Sequence, residues 1–592
     1  MTMHDVPISD YGLIGNTRTA ALVSKYGSID WCCLPRFDSS SFFARLLDEN
    51  GGHFQISPST VFSSQQNYLE NTNVIETIFT TDTGSVRLLD CFPVMSEEEK
   101  RQELSPTHEI LRIVEGISGD VRMSYSFKPS PGYGRTTYRM KNVGKYGIRC
   151  DYGFESVFLQ HNLNSNDSAF EVQKGVRYIF SLSYNNVAPG VIPVLGESAI
   201  GRLERTIKYW RGWVSKCQYE GEYQKDVRRS ALALKLLIYS PSGAIVAAPT
   251  TSLPEEISGV RNWDYRYCWL RDASFTIRSL LCLGLNDEAR AYMGWILHST
   301  ALTRPRLKVV YDLHGESLTA EKELHWFQGY RNSKPVRIGN AADSQFQLDI
   351  YGEVMDAICV YAPHMKKFDK DNINFIKGIA DSVCELWSCP DEGIWEVRSG
   401  QVHHTHSKAM AYLALERFMQ LAEERKWNIP LEKYHEVAGK IKEDIDQKGY
   451  KTEISSFSRS YEDNELDASL LTLPIFLNDW DKEKLESTTI KIFKRLSRNG
   501  LTYRYRHRRD GLQGGEGAFG ACSFWMVEGL ANLGHREKAK DLMDGLLKKE
   551  NNLGLWPEEM DPSTNEYLGN YPQAFTHTAL ISAALSLQEK RT

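Results

Sequence analysis

Near residue 198 the hydrophobic pattern of this chain changes period, and that change limits the folds open to it more than any other feature. From about 28 to 215 apolar residues recur in short β-type runs such as "HFQIS", "NVIETIFTT", "SVRLLDCF", "EILRIVEG" and "VRMSYSF", each bounded by Gly, Ser, Asn or Asp. Runs of this kind joined by turn residues specify antiparallel strands, and so many of them with few helical stretches predict a β-sandwich. The segment "SAIGRLERTIKYWRGWVSKC", 198–217, has helical spacing and reads as a linker helix. Beyond it apolar residues fall at i, i+3, i+4 and i+7, as in "YLALERFMQLAEE". The spacing predicts helices over 224–239, 271–284, 286–299, 343–361, 371–388, 403–424, 431–447, 463–475, 481–497, 517–533, 535–549 and 572–588. Twelve helices with long loops between alternate pairs suggest a double ring, six inside and six outside.

The bulk properties exclude several function classes. At 592 residues the chain is too long for one typical domain. Its 70 basic and 76 acidic residues leave a net charge of −6, too even for a nucleic-acid partner. No run of about 18 apolar residues suggests a membrane-spanning helix. The start, "MTMHDVPISDYGLIG", lacks the basic and apolar regions of a signal peptide. Eleven cysteines are scattered from Cys32 to Cys522 without a CxxC pair, as expected of reduced thiols in a cytoplasmic protein.

Three loops carry the chemistry. In "DEGIWEVRSG", 391–400, Glu396 directly follows Trp395. A carboxylate against an apolar indole resists ionisation, which is how an acid stays protonated near neutral pH. "RNWDYRYCWLRDASF", 261–275, packs two Trp, two Tyr, three Arg and two Asp just before a predicted helix, more than one helix cap needs. There Arg271 and Asp272 can fork hydrogen bonds to sugar hydroxyls, or tie the loop to the helix as a buried pair. In "LGLWPEEMDPSTNEYLGNYPQAFTHTALISAAL", 553–585, Trp556 again lies beside carboxylates, Glu558 and Glu559. Two carboxylates flanking a glycosidic bond are the minimum equipment for glycoside hydrolysis. Ten of the thirteen tryptophans fall after residue 262, several in loops, where indoles suit the apolar faces of sugar rings.

Other signals carry less. "GEGAFG", 515–520, has the GxGxxG form but does not follow a strand of a βαβ unit, so no dinucleotide role is expected. "HHTH", 403–406, has no further ligands at metal spacing and reads as a loop-to-helix segment. Neither a GxSxG elbow nor a Walker-type lysine loop occurs. No cofactor and no metal are expected.

Through these loops the chain resembles glycoside hydrolase family 15, the glucoamylase and trehalase family, in its intracellular prokaryotic branch. The resemblance spans nearly the whole chain: "YGLIGNTRTAALVSKYGSIDWCCLPRFDSSSFF", "RNWDYRYCWLRDASF", "RIGNAADSQFQLDIYGE", "GIWEVR", "DASLLTLP", "GEGAFGACSFW" and "LGNYPQAFTHTALI" follow in the family's order. It implies a multidomain α+β chain with an N-terminal antiparallel β-sandwich over 1–197, a helical linker over 198–222 and an all-α (α/α)6 barrel over 223–592. It also implies exo-acting, inverting hydrolysis of small α-glucosides or α-glucans that releases β-glucose. Glu396 matches the family's general acid and Glu558 its base, although Glu559 stands where the family often has Gln. Glu559 and Glu516 therefore stay as alternative bases. Arg271 and Asp272 match the pair that grips the terminal glucose, with Tyr265 and Trp269 stacking nearby. Arg504 is similar to a pocket arginine, Glu516 to a pocket-wall residue, and Trp395 and Trp556 complete the expected wall.

The leading expectation is a glucoamylase-like enzyme, with α,α-trehalase as the alternative. A glycoside phosphorylase would replace the base by a phosphate site, against which the carboxylates of "PEEMD" argue. A catalytically silent carbohydrate-binding protein on the same fold is disfavoured by the intact Glu396, Arg271, Asp272 and Glu558. The partner implied is a small carbohydrate, with neither nucleic acid nor membrane; homo-oligomerisation is left open.

Overall fold

The computed structural model describes residues 6–101, 105–163, 168–186, 192–301, 303–318, 320–477, 480–506 and 510–588. The outermost positions of the expected domains, and His507 to Arg509 of "TYRYRHRRD", lie outside them.

The β-type runs form antiparallel strands in two sheets that share one long strand, His108–Lys128. Its first half pairs with Gly84–Cys91 and Arg177–Asn185, and its second half with His53–Pro58 and Ala169–Gln173. Alternation decides the inward faces: in Ile75–Thr81, Ile75, Thr77 and Phe79 are buried while their neighbours are partly or fully exposed. Phe54, Ile56, Phe79, Leu88, Val114, Met123 and Phe180 pack between the sheets. Arg112 lies in this interior, fully buried, on Asp90 at 2.6 Å and on the carbonyls of Phe54 and Gly27.

The helix Glu197–Val214 joins the two parts by using different residues for each. Ala199 and Leu203 pack on the sheet residues Leu111 and Ile113, and Arg202 pairs with Glu109 at 2.9 Å. Trp210, Trp213 and Val214 enter the core of the helical part, where the Trp213 indole donates to Glu288.

Among the described residues, the helical part closes as a ring. Leu270–Cys282 packs on Ile350–Tyr361, which packs on Thr405–Glu424. The ring continues through the short helical run 468–476 to Gly520–Asn532 and Ala574–Leu587, and Ala574–Leu587 returns to Leu270–Cys282. Gln224–Leu237, Asn286–Ser299, Lys370–Leu386, Glu432–Asp444, Lys482–Leu496 and Arg536–Leu547 form the outer layer. Composition explains the split. Gly520–Asn532 is buried over most of its length, whereas Glu432–Asp444 buries only Tyr434, Ala438 and Ile441, a single stripe at helical spacing. Gly352 permits a close inner contact: a Cβ there would stand 2.3 Å from the Met410 carbonyl oxygen. The architecture is an antiparallel sheet domain followed by an (α/α)6 barrel.

Two expected helices are shorter than their periodicity suggests. Over 343–361 the regular helix begins only at Ile350. The amides of Phe346 and Leu348 bond instead to the side chains of Glu392 and Asp391, so this stretch anchors a loop. Over 463–475 only 468–476 is helical, in two short turns. Asp463 is drawn onto Arg459, Asp467 caps the turn at Ser469, and Pro474, without an amide N–H, fits only a first turn.

Candidate active site

The loop 391–400 is built to hold Glu396 at the open end of the ring. Asp391 accepts hydrogen bonds from the amides of Leu348 and Gly393 and from Ser407, which fixes the loop base. Gly393 has φ +66°, and a Cβ there would stand 2.7 Å from the His404 ring. The "HHTH" segment thus serves as a loop-to-helix junction: His404 packs under Gly393 and His403 stacks on Tyr461. Glu396 itself has φ +59°, a left-handed conformation that costs a non-glycine residue about 1–3 kcal/mol and that the packed surroundings enforce.

Glu396 lines a cavity together with Tyr265, Arg271, Trp395 and Arg504. Arg271 ties two of the predicted loops together. Its Nη1 donates to the Ile394 carbonyl at 2.7 Å and to Glu396 Oε1 at 3.3 Å, and its Nε and Nη2 grip Asp272 at 3.0 and 2.9 Å. Burial pushes the Glu396 carboxyl above the ordinary glutamate range; Arg271 pulls it back, Asp272 adds to the rise, and Trp269 opposes it. The Trp395 indole donates to Asp467 at 2.8 Å and packs edge-on against Phe519.

Glu558 and Glu559 are both fully buried. Adjacent residues of an extended chain point to opposite faces, and these two differ accordingly. Glu558 Oε2 accepts the Asn570 amide at 2.9 Å, and the Tyr265 hydroxyl stands beside the same carboxylate. Burial and the nearby Glu255 charge push Glu558 up to about 8, while the Tyr265 hydroxyl and the Asn570 amide favour its charged form. Tyr265 also feels Glu396, so one side chain stands near both carboxylates. Glu559 Oε2 accepts the Gly517 amide at 2.7 Å and Oε1 lies 3.3 Å from Arg504; burial and Glu255 hold its carboxyl well above the usual range. Glu516 is held by Arg504 at 2.6 Å and Arg261 at 3.0 Å and lines a different cavity.

Trp269 is buried and packs edge-on against Tyr265 at 5.4 Å. Trp556 departs from its expected place on the pocket wall. It is fully buried, packs against Phe524 of an inner helix and donates to Glu550. An indole that fills the space between helices cannot also face a sugar.

Glu255 was not singled out from the sequence, yet it lines the same cavity as Glu396. It accepts the Trp263 indole at 2.9 Å on Oε1 and Arg504 at 2.9 Å on Oε2. A signal was present: the triplet Pro-Glu-Glu occurs at 254–256 as well as at 557–559. The Gly569 amide bonds to the Pro254 carbonyl, joining the two loops. Glu255, Glu516 and Glu559 each bring one carboxylate oxygen within 4.8 Å of the others, close enough to hold a cation. Arg504 and Arg261 already supply positive charge to this cluster.

The profile of glycosyl hydrolases family 15 matches residues 221–544, and a trehalase-like N-terminal profile matches residues 2–162. The chain belongs to glycosyl hydrolases family 15. It is 36% identical to a trehalase of Mycolicibacterium smegmatis, over 98% of this chain and 91% of that protein. It is 35% identical to a trehalase of Thermoplasma volcanium, over 99% and 94%. A crystal structure of a bacterial glucoamylase complexed with acarbose superposes with a TM-score of 0.70 at 13% identity, covering 98% of this chain and 94% of that one. At that identity the likeness speaks for the fold alone. As a family 15 member the chain is a glycoside hydrolase. The relatives favour the trehalase alternative over the glucoamylase-like expectation placed first.

Proposed function

We propose that this family 15 hydrolase is an α,α-trehalase that cleaves trehalose with inversion at one anomeric carbon. The observation that carries the reading is similarity to proteins named trehalase along nearly the entire chain, N-terminal part included.

Glu396 is assigned as the general acid. Burial favours its protonated form, and it sits beside Arg271 and Asp272, which would hold the terminal glucose. Glu558 is assigned as the base. Among the described residues it makes no ion pair with an arginine; it accepts instead from the Asn570 amide and stands beside the Tyr265 hydroxyl, which lies near Glu396 as well. Glu559 is held by a backbone amide and Arg504, Glu516 by two arginines, and Glu255 by an indole and an arginine. Carboxylates tied to arginines are committed to those ion pairs rather than to a water. In the inverting scheme Glu396 protonates the departing glycosidic oxygen, and Glu558 takes a proton from water on the opposite ring face. Tyr265, Trp395 and Arg504 line the cavity and frame the sugar, with Trp269 packed behind Tyr265.

The units 1–197, 198–222 and 223–592 serve as sheet domain, connector and catalytic barrel. A cytoplasmic location accords with eleven free cysteines, and among the described residues no helix is long and apolar enough to cross a membrane.

The test is a substrate panel of trehalose, maltose, maltotriose, isomaltose and soluble starch, read by anomer-resolved NMR. Inverting cleavage of trehalose yields one α- and one β-glucose at first; two α-glucoses would overturn inversion. Preference for maltotriose or starch over trehalose would overturn the substrate assignment.

A further inference from the structure

Trp263, Arg398 and Leu512 line the cavity that holds Glu396, and the same three residues line a second, outer cavity of about 1080 Å3. They are therefore the partition between the two. The partition is assembled from three distant parts of the chain. The guanidinium of Arg398 lies over the Trp263 ring at 4.3 Å, and that of Arg337 over the same ring at 4.7 Å. Two like charges at one ring need a counter-charge, and Glu321 supplies it: its carboxylate is 2.9 Å from Arg398 Nη2 and 3.5 Å from Arg337 Nε. Arg337 is further held by the carbonyls of Val260 and Asn262, and the Arg398 amide by the Asp510 carbonyl.

The segment bearing Glu321 and Arg337 is braced from behind by the sheet domain. Lys322–Glu323 pairs with Arg337–Ile338. Between them the Gln328 amide bonds to Asp48, the Trp326 indole to the Tyr133 carbonyl and the Tyr330 hydroxyl to the Val6 carbonyl.

The position of the partition relative to the acid gives it a role. Arg271, assigned above to the terminal glucose, bonds to Glu396, and Arg398 lies two residues beyond Glu396 on the same loop. With the terminal glucose assigned to Arg271 and Asp272, the lining shared with the outer cavity, Trp263, Arg398 and Leu512, is left for the leaving sugar.

We propose that Arg337, Trp263 and Arg398, tied by Glu321, close the leaving-sugar side of the cavity and thereby restrict the enzyme to a disaccharide. This rests on the trehalase reading. A leaving group one glucose longer would have to enter the outer cavity, and the tied arginines stand in its way. Glu321 does not line the catalytic cavity, so its loss opens the wall without removing a group that touches trehalose.

The experiment compares kcat and KM of wild type, Glu321→Ala and Arg337→Gln on trehalose and on a trisaccharide in which one glucose of trehalose carries a further α-glucosyl unit. Wild type is expected to favour trehalose, and both variants to narrow that preference by about tenfold or more, mainly through a lower KM for the trisaccharide. Trehalose kcat should stay within about threefold, which also reports that the variants fold. An unchanged preference in both folded variants overturns the proposal, as does a wild type that cleaves the trisaccharide as well as trehalose. A wild type inactive on trehalose overturns the underlying reading instead.

Discussion

Glu255 Oε2 and Arg504 Nη2 lie 2.9 Å apart on the wall of the cavity that holds Glu396. The Glu255 charge is the chief electrostatic reason that Glu558 is pushed up to about 8, because a second negative charge beside it is disfavoured. Glu558 works as a base only when ionised, so activity falls as pH drops through its pKa. Glu255→Gln removes the neighbouring charge and eases that ionisation. A larger share of the enzyme then has Glu558 ionised while Glu396 is protonated, so kcat/KM should rise near neutral pH and the profile as a whole should shift to lower pH, as a pH–rate series on wild type and variant will show. An unmoved profile would count against Glu558 as the group that titrates.

Glu396→Gln keeps the side-chain shape and removes the transferable proton. Turnover should fall roughly 100- to 10,000-fold, with trehalose binding and the unfolding midpoint nearly unchanged. Glu396 acts only while protonated, and burial keeps that form to higher pH than for an ordinary glutamate. Kinetics paired with calorimetric binding checks both points.

Glu558→Ala should be as damaging as Glu396→Gln, and azide, a small anion able to occupy the freed space, should restore part of its turnover. Glu559→Gln and Glu516→Gln should retain more activity and show no azide response, because both side chains are held by fixed donors. Rescue of Glu559→Ala instead would transfer the base assignment.

Tyr265→Phe removes the hydroxyl that favours the charged form of Glu558. A kcat loss of roughly ten- to a hundredfold is expected, the size of one hydrogen bond to a charged group. KM should change less. A loss confined to KM would make Tyr265 a stacking residue only.

Arg112 and Asp90 form a pair with both side chains fully buried in the sheet domain. Arg112→Met leaves Asp90 uncompensated and should cost about 3–5 kcal/mol, whereas Arg112→Met with Asp90→Leu should recover most of it. Denaturant unfolding of both variants reads the difference.

The two-part architecture was legible because it follows from period. Alternation in "NVIETIFTT" and i, i+3, i+4 spacing in "YLALERFMQLAEE" are local consequences of how a strand and a helix present side chains. Periodicity failed where tertiary bonds outbid it: Asp391 and Glu392 take the amides that a helix over 345–349 would use, and Pro474 with Asp467 breaks the run over 463–475. The loops around Arg271 and Glu396 were also legible, from their density of aromatic and charged residues.

What the sequence by itself determined is therefore the class of each half and the loops that carry chemistry. Only the tertiary structure decided which side chains of those loops meet. Ring closure brings Tyr265 to Glu558 and Arg504 to Glu255, pairs separated by more than two hundred residues. It turns Trp556 into the core and seats Trp263 between Glu255 and two arginines. The reason is physical. Periodicity records which face of an element is apolar, whereas the direction of a loop side chain depends on the partners that reach it after the ring has closed.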